Sequence, residues 1–239
     1  SCTIETRLPR VFREVVFLLH VGYSRSQRLV VSGFTCTCPR DHHEPAQDVY
    51  LGAGLLGNLP AYIKKRELGK KLVLAADTNT YAAAGREAEA ALKSAGFDVT
   101  VCLYEGKTRL LPDEAAVGAL LMTMGMDTEF FLAVGSGTIT DIVRVVAAQT
   151  ERPFACVATA PSTVGYIARA AWPLRGGERV RLGAVCPEIA LCDLNVLAAA
   201  PKASFDAGLE EISRVLAANR DWAAGGADSM LDWVMQSLR

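Results

Sequence analysis

From residue 47 onward the chain alternates short apolar runs with segments of helical period, and this alternation restricts its fold more than any other feature. Residues 48–51, 71–76, 99–103, 130–134 and 154–158 read as strands, the last closing the series, and residues 55–66, 80–94, 112–124 and 138–148 read as the helices around them. Helices of this length between strands demand crossover connections. The expected result is an α/β fold, a mainly parallel sheet with helices on both faces. Pro112 suits the opening of a helix and Gly96 the close of one. Residues 1–45 mix Arg, Cys, His and Pro without a sustained period and read as an N-terminal extension, with the α/β domain over 46–200. After Pro201 the pattern is helical over 204–220 and 229–238, the expected start of an all-helical domain at 201–239.

In sheets of this kind ligands gather beyond the carboxyl ends of the strands. At one such end stand Gly135, Ser136 and Gly137, between an apolar strand and a helix. Glycine lets the main chain approach a ligand with no Cβ in the way, and the free amides and positive dipole end of the helix attract a diphosphate. A nucleotide cofactor is the expected guest, and a plain tight turn is the alternative, because the third glycine of the dinucleotide fingerprint is missing. Asp77 follows the strand at 71–76, where a carboxylate either accepts from ribose hydroxyls or caps the next helix. Asp141 and Arg144 lie one helical turn apart, which suits either a cofactor contact by Asp141 or an ion pair.

Composition narrows the partners. Over 239 residues, 51% hydrophobic and 21% charged, the chain can bury a substantial core. A net charge of -1 without a basic stripe argues against nucleic acid and for small molecules. No apolar run is long enough to span a bilayer, and residues 15–19 are too short for a targeting segment, so a cytoplasmic protein without membrane contact is expected. Seven irregularly spaced cysteines, an odd number, fit a reducing compartment. Cys156, Cys186 and Cys192 fall in apolar strands, where a thiol acts as a small hydrophobe. Cys36 and Cys38 with His42 and His43 offer zinc donors but lack the second cysteine pair of a closed site. Arg169, Arg175, Arg179 and Arg181 suit either a substrate phosphate or a solvated hairpin around Gly176 and Gly177. Trp172, Trp222 and Trp233 are expected in the core or an interface.

Four blocks taken in order, residues 135–144, 157–162, 192–201 and 207–211 with Asp221 and Trp222, resemble glycerol-1-phosphate dehydrogenase. Residues 50–55 and 77–81 and the segment from Cys36 to His42 fit the same pattern, so the likeness runs from about Cys36 to Trp222. It implies a Rossmann-like nucleotide domain followed by a helical metal-holding domain, as in glycerol dehydrogenase, iron-containing alcohol dehydrogenases and dehydroquinate synthase. It also implies hydride transfer between NAD or NADP and dihydroxyacetone phosphate, giving sn-glycerol 1-phosphate, with a divalent metal, zinc or nickel, polarising the ketone. Carried over by position, Gly135, Ser136 and Gly137 would hold the diphosphate, Asp77 the adenosine ribose, and Thr159 and Ser162 the nicotinamide side. Asp141 would sit near the nicotinamide end. Glu211 would be a metal ligand.

The pattern is also broken. Val164 stands where the family has an aspartate near the substrate, and Glu211 follows Glu210 where the family has glycine and aspartate. The family's two histidine ligands have no counterpart, since His20, His42 and His43 all precede the nucleotide motifs. Either the sequence is part of a longer polypeptide, or it belongs to a relative that has lost the catalytic half. Three readings follow: a polyol-phosphate dehydrogenase, an inactive nucleotide-binding relative serving as a partner or scaffold subunit, and, from Glu211, a dehydroquinate-synthase-like cyclase. Homo-oligomerisation is left open.

Overall fold

A computed structural model describes residues 27–31, 47–106, 109–163 and 165–218. Its centre is a seven-stranded sheet in the order β1-β2-β11-β6-β5-β3-β4, built from β1 (Gln27–Val31), β2 (Gln47–Gly52), β3 (Lys71–Asp77), β4 (Asp98–Tyr104), β5 (Phe130–Gly135), β6 (Phe154–Ala158) and β11 (Ile189–Asp193). Only β1 is antiparallel to its neighbour, so the expected mainly parallel α/β architecture is what the chain adopts.

The central strands β5, β6 and β11 are buried along their whole length, which is why they read as unbroken apolar runs rather than as alternating ones. Period-2 geometry sends Leu72, Leu74, Phe130 and Leu132 to one face and Val73, Ala75, Phe131 and Ala133 to the other. The first face packs on α1 (Leu59–Lys65) and on α2, which opens at Thr78–Thr80, widens into a π turn over Tyr81–Gly85 and continues as Arg86–Ser94. Leu59, Ile63, Ala88 and Leu92 supply that contact. The second face packs on α3 (Glu114–Thr123) and α4 (Gly137–Gln149). In α4 the residues Ile139, Ile142, Val143 and Val146 recur at helical spacing and are buried. Gly96, past the end of α2, has φ +83°, the left-handed conformation expected of a helix stop.

Two strands of the seven-stranded sheet depart from the sequence reading. The series does not close at 154–158, because β11 enters between β6 and β2. No helix precedes it: the chain arrives through a 3₁₀ turn (Gly165–Ile167) and the short strands β7 (Ala170–Ala171), β8 (Leu174–Arg175), β9 (Glu178–Arg179) and β10 (Leu182–Gly183), which the strand–helix alternation does not signal. β1 lies inside the segment read as an extension, where the sequence shows no period, and pairs along β2 from Gln27–Leu51 to Val31–Gln47. Helix α5 (Leu194–Ala198) follows β11 directly, and α6 (Lys202–Ala218) realises the helical pattern after Pro201. The expectations for Cys36, Cys38, His42, His43, Val164, Asp221, Trp222 and Trp233, and for the helix at 229–238, lie outside the described residues. Among the described residues no helix is long and apolar enough to cross a membrane.

Candidate functional site

Chain direction reverses between β3 and β5. These strands are neighbours, yet α2 carries the chain from β3 outward to the edge strand β4, whereas α4 carries it from β5 inward to β6. A crevice at the carboxyl ends is the geometric consequence of such a switch. The last paired residues of the two strands are Ala75 and Ala133. Two positions further on each strand stand Asp77 and Gly135, so the fold brings the carboxylate and the glycine turn to the same place.

Asp77 is the N-cap of α2, and its Oδ1 accepts from the amides of Asn79 and Thr80, both at 2.9 Å. Thr80 returns the contact, its Oγ1 accepting from the Asp77 amide at 3.0 Å, which completes a capping box. Two other helices off the carboxyl edge are capped alike, Asp113 Oδ1 accepting from the Ala116 amide in α3 and Asp193 Oδ1 from the Asn195 amide in α5, whereas α1 leaves β2 through a 3₁₀ turn (Leu56–Asn58) without a side-chain cap at Asn58. In α4 the N-cap is Ser136, in extended backbone (φ -97°, ψ -161°), and its side chain makes no cap bond. Ser136, Gly137 and Thr138 are half-buried, and the first turn of α4 faces the crevice with its amides uncapped by any side chain of its own.

The two glycines have different reasons to be glycine. A Cβ on Gly135 would lie 2.6 Å from Ile139 Cβ, so its absence lets α4 pack tightly on the strand it follows. A Cβ on Gly137 would lie 3.2 Å from Thr163 Cγ2, in the loop after β6. Thr159 is buried and its amide donates to the Gly135 carbonyl at 3.1 Å, tying the end of β6 to the turn. Ser162 is half-buried beside Tyr166. The Tyr166 hydroxyl donates to the Ala160 carbonyl at 2.8 Å and lies 3.3 Å from that of Gly135, and burial holds this phenol well above its ordinary pKa.

Asp141 and Arg144 form an ion pair at 2.9 Å, but Arg144 is fully buried, at 0% exposure, rather than on a helix surface. Its NH1 also donates to the Ala170 carbonyl at 3.1 Å and its NH2 donates to the Gly165 carbonyl. Asp141 Oδ2 accepts from the Trp172 amide at 3.2 Å. Both carboxylate oxygens are therefore engaged within the protein, and α4 anchors the segment 165–172 through two side chains. Burial pushes the Asp141 carboxyl up from its ordinary value against the pull of Arg144, and the same desolvation lowers Arg144.

Glu211 reaches this neighbourhood from α6, where its Oε1 accepts from Thr163 Oγ1 at 3.3 Å. Among the described residues no group of three or more His, Cys, Asp or Glu side chains could hold a metal ion, so Glu211 does not compose a metal centre with them. The hairpin β8–β9 turns at Gly176 and Gly177, both at positive φ, with Arg175 and Arg179 exposed on it. Arg179 lies near enough to Asp141 to favour its ionised form. Trp172, expected in a core or interface, is 45% exposed. Cys156 and Cys192 are buried in strands, whereas Cys186 lies in the loop before β11.

Three contributors escaped the sequence reading. Asp193 is buried and gathers the amides of Gly54, Leu55 and Leu56 as well as that of Asn195, fastening the β2–α1 turn to β11. An acidic residue directly after an apolar run and before a helix was the available signal. Thr163 and Tyr166 carried none, because each acts through contacts between segments distant in sequence.

A family model described as iron-containing alcohol dehydrogenase matches residues 50–201. The chain is 32% identical over 206 residues to glycerol-1-phosphate dehydrogenase [NAD(P)+] of Halalkalibacterium halodurans, covering 85% of this chain and 49% of that protein. With the protein of the same name from Geobacillus thermodenitrificans it shares 31% identity over 188 residues, covering 77% of this chain and 46% of the relative. It thus spans about half the length of the curated relatives it matches. The crystal structure of glycerol dehydrogenase from Schizosaccharomyces pombe superposes with a TM-score of 0.58 at 18% identity, covering 68% of this chain and 41% of that one, a likeness of fold. Sheet, switch point and family match agree, and the chain belongs to the iron-containing alcohol dehydrogenase family.

Proposed function

We propose that this chain is the nucleotide-binding part of an NAD(P)-dependent polyol-phosphate dehydrogenase that interconverts dihydroxyacetone phosphate and sn-glycerol 1-phosphate, with residues from 201 onward opening its helical part. The observation that carries the reading is the first turn of α4. It is the one helix start among α2, α3, α4 and α5 without its own side-chain cap, and it faces the crevice where β3 and β5 part. Backbone amides and a helix dipole suit a diphosphate, which would take the place a capping carboxylate holds in the other three. The relatives named glycerol-1-phosphate dehydrogenase [NAD(P)+] supply the substrate side of the proposal.

The bound coenzyme supplies the hydride; the protein's share is binding and orientation. The amides of the α4 first turn would hold the diphosphate. Both cap bonds of Asp77 fall on Oδ1, which leaves Oδ2 as the acceptor for a ribose hydroxyl. Thr159 and Ser162 border the far side of the turn, where the nicotinamide would lie. Asp141 contributes indirectly, by fixing the 165–172 segment. Since the described residues do not form a metal site, no metal step is assigned to them.

Titration of the chain with NADH, followed by fluorescence, tests the turn, and oxidation of NADH by dihydroxyacetone phosphate tests the reaction. Saturable binding that Gly137→Val abolishes is expected, because the added branches crowd Thr163 and the amides together. Undiminished binding by that variant sinks the placement. Binding without turnover favours the inactive relative.

A further inference from the structure

Thr163 touches three separate parts of the site with one side chain. Its methyl carbon Cγ2 lies 3.2 Å from where a Cβ of Gly137 would be, against the first turn of α4. Its hydroxyl accepts from the Gly165 amide at 2.9 Å, which fixes the start of the segment that Arg144 and Asp141 hold from below. That same hydroxyl donates to Glu211 Oε1 at 3.3 Å, reaching α6 across 48 positions of sequence. A β-branched side chain has few χ1 choices, and these contacts together leave Thr163 little freedom.

The seating of α6 is equally constrained. A Cβ on Gly208 would lie 2.0 Å from the Pro161 carbonyl oxygen, so the helix rests directly on the backbone of the loop after β6. Three residues on, along the same helical face, Glu211 meets Thr163. α6 is thus fastened to the loop twice, once by backbone contact and once through Thr163.

We infer that Thr163 is a positioning residue that couples occupancy of the α4 first turn to the seating of α6. The inference rests on the proposed cofactor site and deepens it. A ligand that orders the Gly137 turn restrains the methyl resting against it, the hydroxyl keeps its direction toward Glu211, and α6 opens less often. Reciprocity requires that a well-seated α6 strengthen binding at the turn by the same factor.

Hydrogen exchange along the full chain, with and without NADH, tests the coupling. In the unaltered protein NADH should slow exchange of the α6 amides by about five-fold, the scale of one ordinary hydrogen bond. Thr163→Val, which keeps the branch and removes the hydroxyl, should abolish that response while exchange in β5 and β6 stays slow. Glu211→Ala cuts the same contact from the other side and should do likewise, which guards against a Thr163 variant that fails to fold. In a second arm, Gly137→Ala should weaken NADH binding and Thr163→Ser, by removing Cγ2, should restore most of it in the double variant. An α6 response that survives in both single variants, or a double variant that binds no better than Gly137→Ala, overturns the coupling. NADH binding that leaves α6 exchange unchanged in the unaltered chain overturns the coupling alone, whereas no NADH binding at all overturns it together with the cofactor site.

Discussion

Aspartate does much of the work at the carboxyl edge, and what each one accomplishes depends on which amides reach it. Asp193 accepts from four, and because Leu55 and Leu56 are themselves buried, no water replaces the carboxylate if it is removed. Asp193→Ala should therefore lower stability by roughly 2 to 4 kcal/mol, the cost of two buried donors left without an acceptor, read from the midpoint of urea unfolding. A loss under ~1 kcal/mol would mean that the β2–α1 turn relaxes onto other acceptors. At this scale the sequence was only partly informative. Asp77 was legible as standing at a strand end, and its two alternative uses were both visible, but the choice of Oδ1 for the cap is a matter of backbone geometry. Asp141 and Arg144 were legible as a pair; their burial was not, since it depends on the 165–172 segment folding back over them.

Among the elements, α4 decides the site, and the strand-to-helix turn before it was the most legible part of the chain. Apolar residues in one run, then glycines, then helical period leave few arrangements. What the sequence could not divide was the labour of the two glycines. Gly135 answers to Ile139, one turn into the helix and fixed by the core, while Gly137 answers to Thr163 in the loop after β6. Gly135→Ala should accordingly act as overpacking, costing about 1 to 3 kcal/mol in thermal or urea unfolding as α4 is pushed from β5. Its effect on cofactor affinity should be no larger than that shift of the helix explains. Strand β11 was harder to read for the converse reason: four apolar residues and an aspartate without a preceding helix carry no period, and only pairing with β2 and β6 defines them.

Seen whole, the molecule has two unlike edges. The carboxyl edge is held by caps and buried side chains, the amino edge by exposed charge. There Glu129 Oε2 accepts from the amides of Lys70 and Lys71 at 2.6 and 2.8 Å, and Lys71 Nζ pairs with Asp127, joining the starts of β3 and β5. Those amide bonds hold the Glu129 carboxyl below its ordinary value of 4.5, and the Lys71 contact does the same for Asp127 relative to 3.8. A carboxyl lowered in the folded state binds fewer protons there than in the unfolded chain, so its contribution is complete above its ordinary pKa and disappears as pH falls through the folded value. Asp141 has the opposite sign: burial raises its pKa, its ionised form costs stability, and acid relieves that cost. The net acid response is therefore a contest between the edges, and Glu129→Gln separates them because glutamine does not titrate. Unfolding midpoints measured from about pH 7 down to about pH 3 should show the unaltered chain more stable than the variant above 4.5, with the gap closing below it. A gap that persists unchanged at the acid end would mean that Glu129 contributes through packing rather than charge, and would leave the acid response of the amino edge to Lys71 and Asp127.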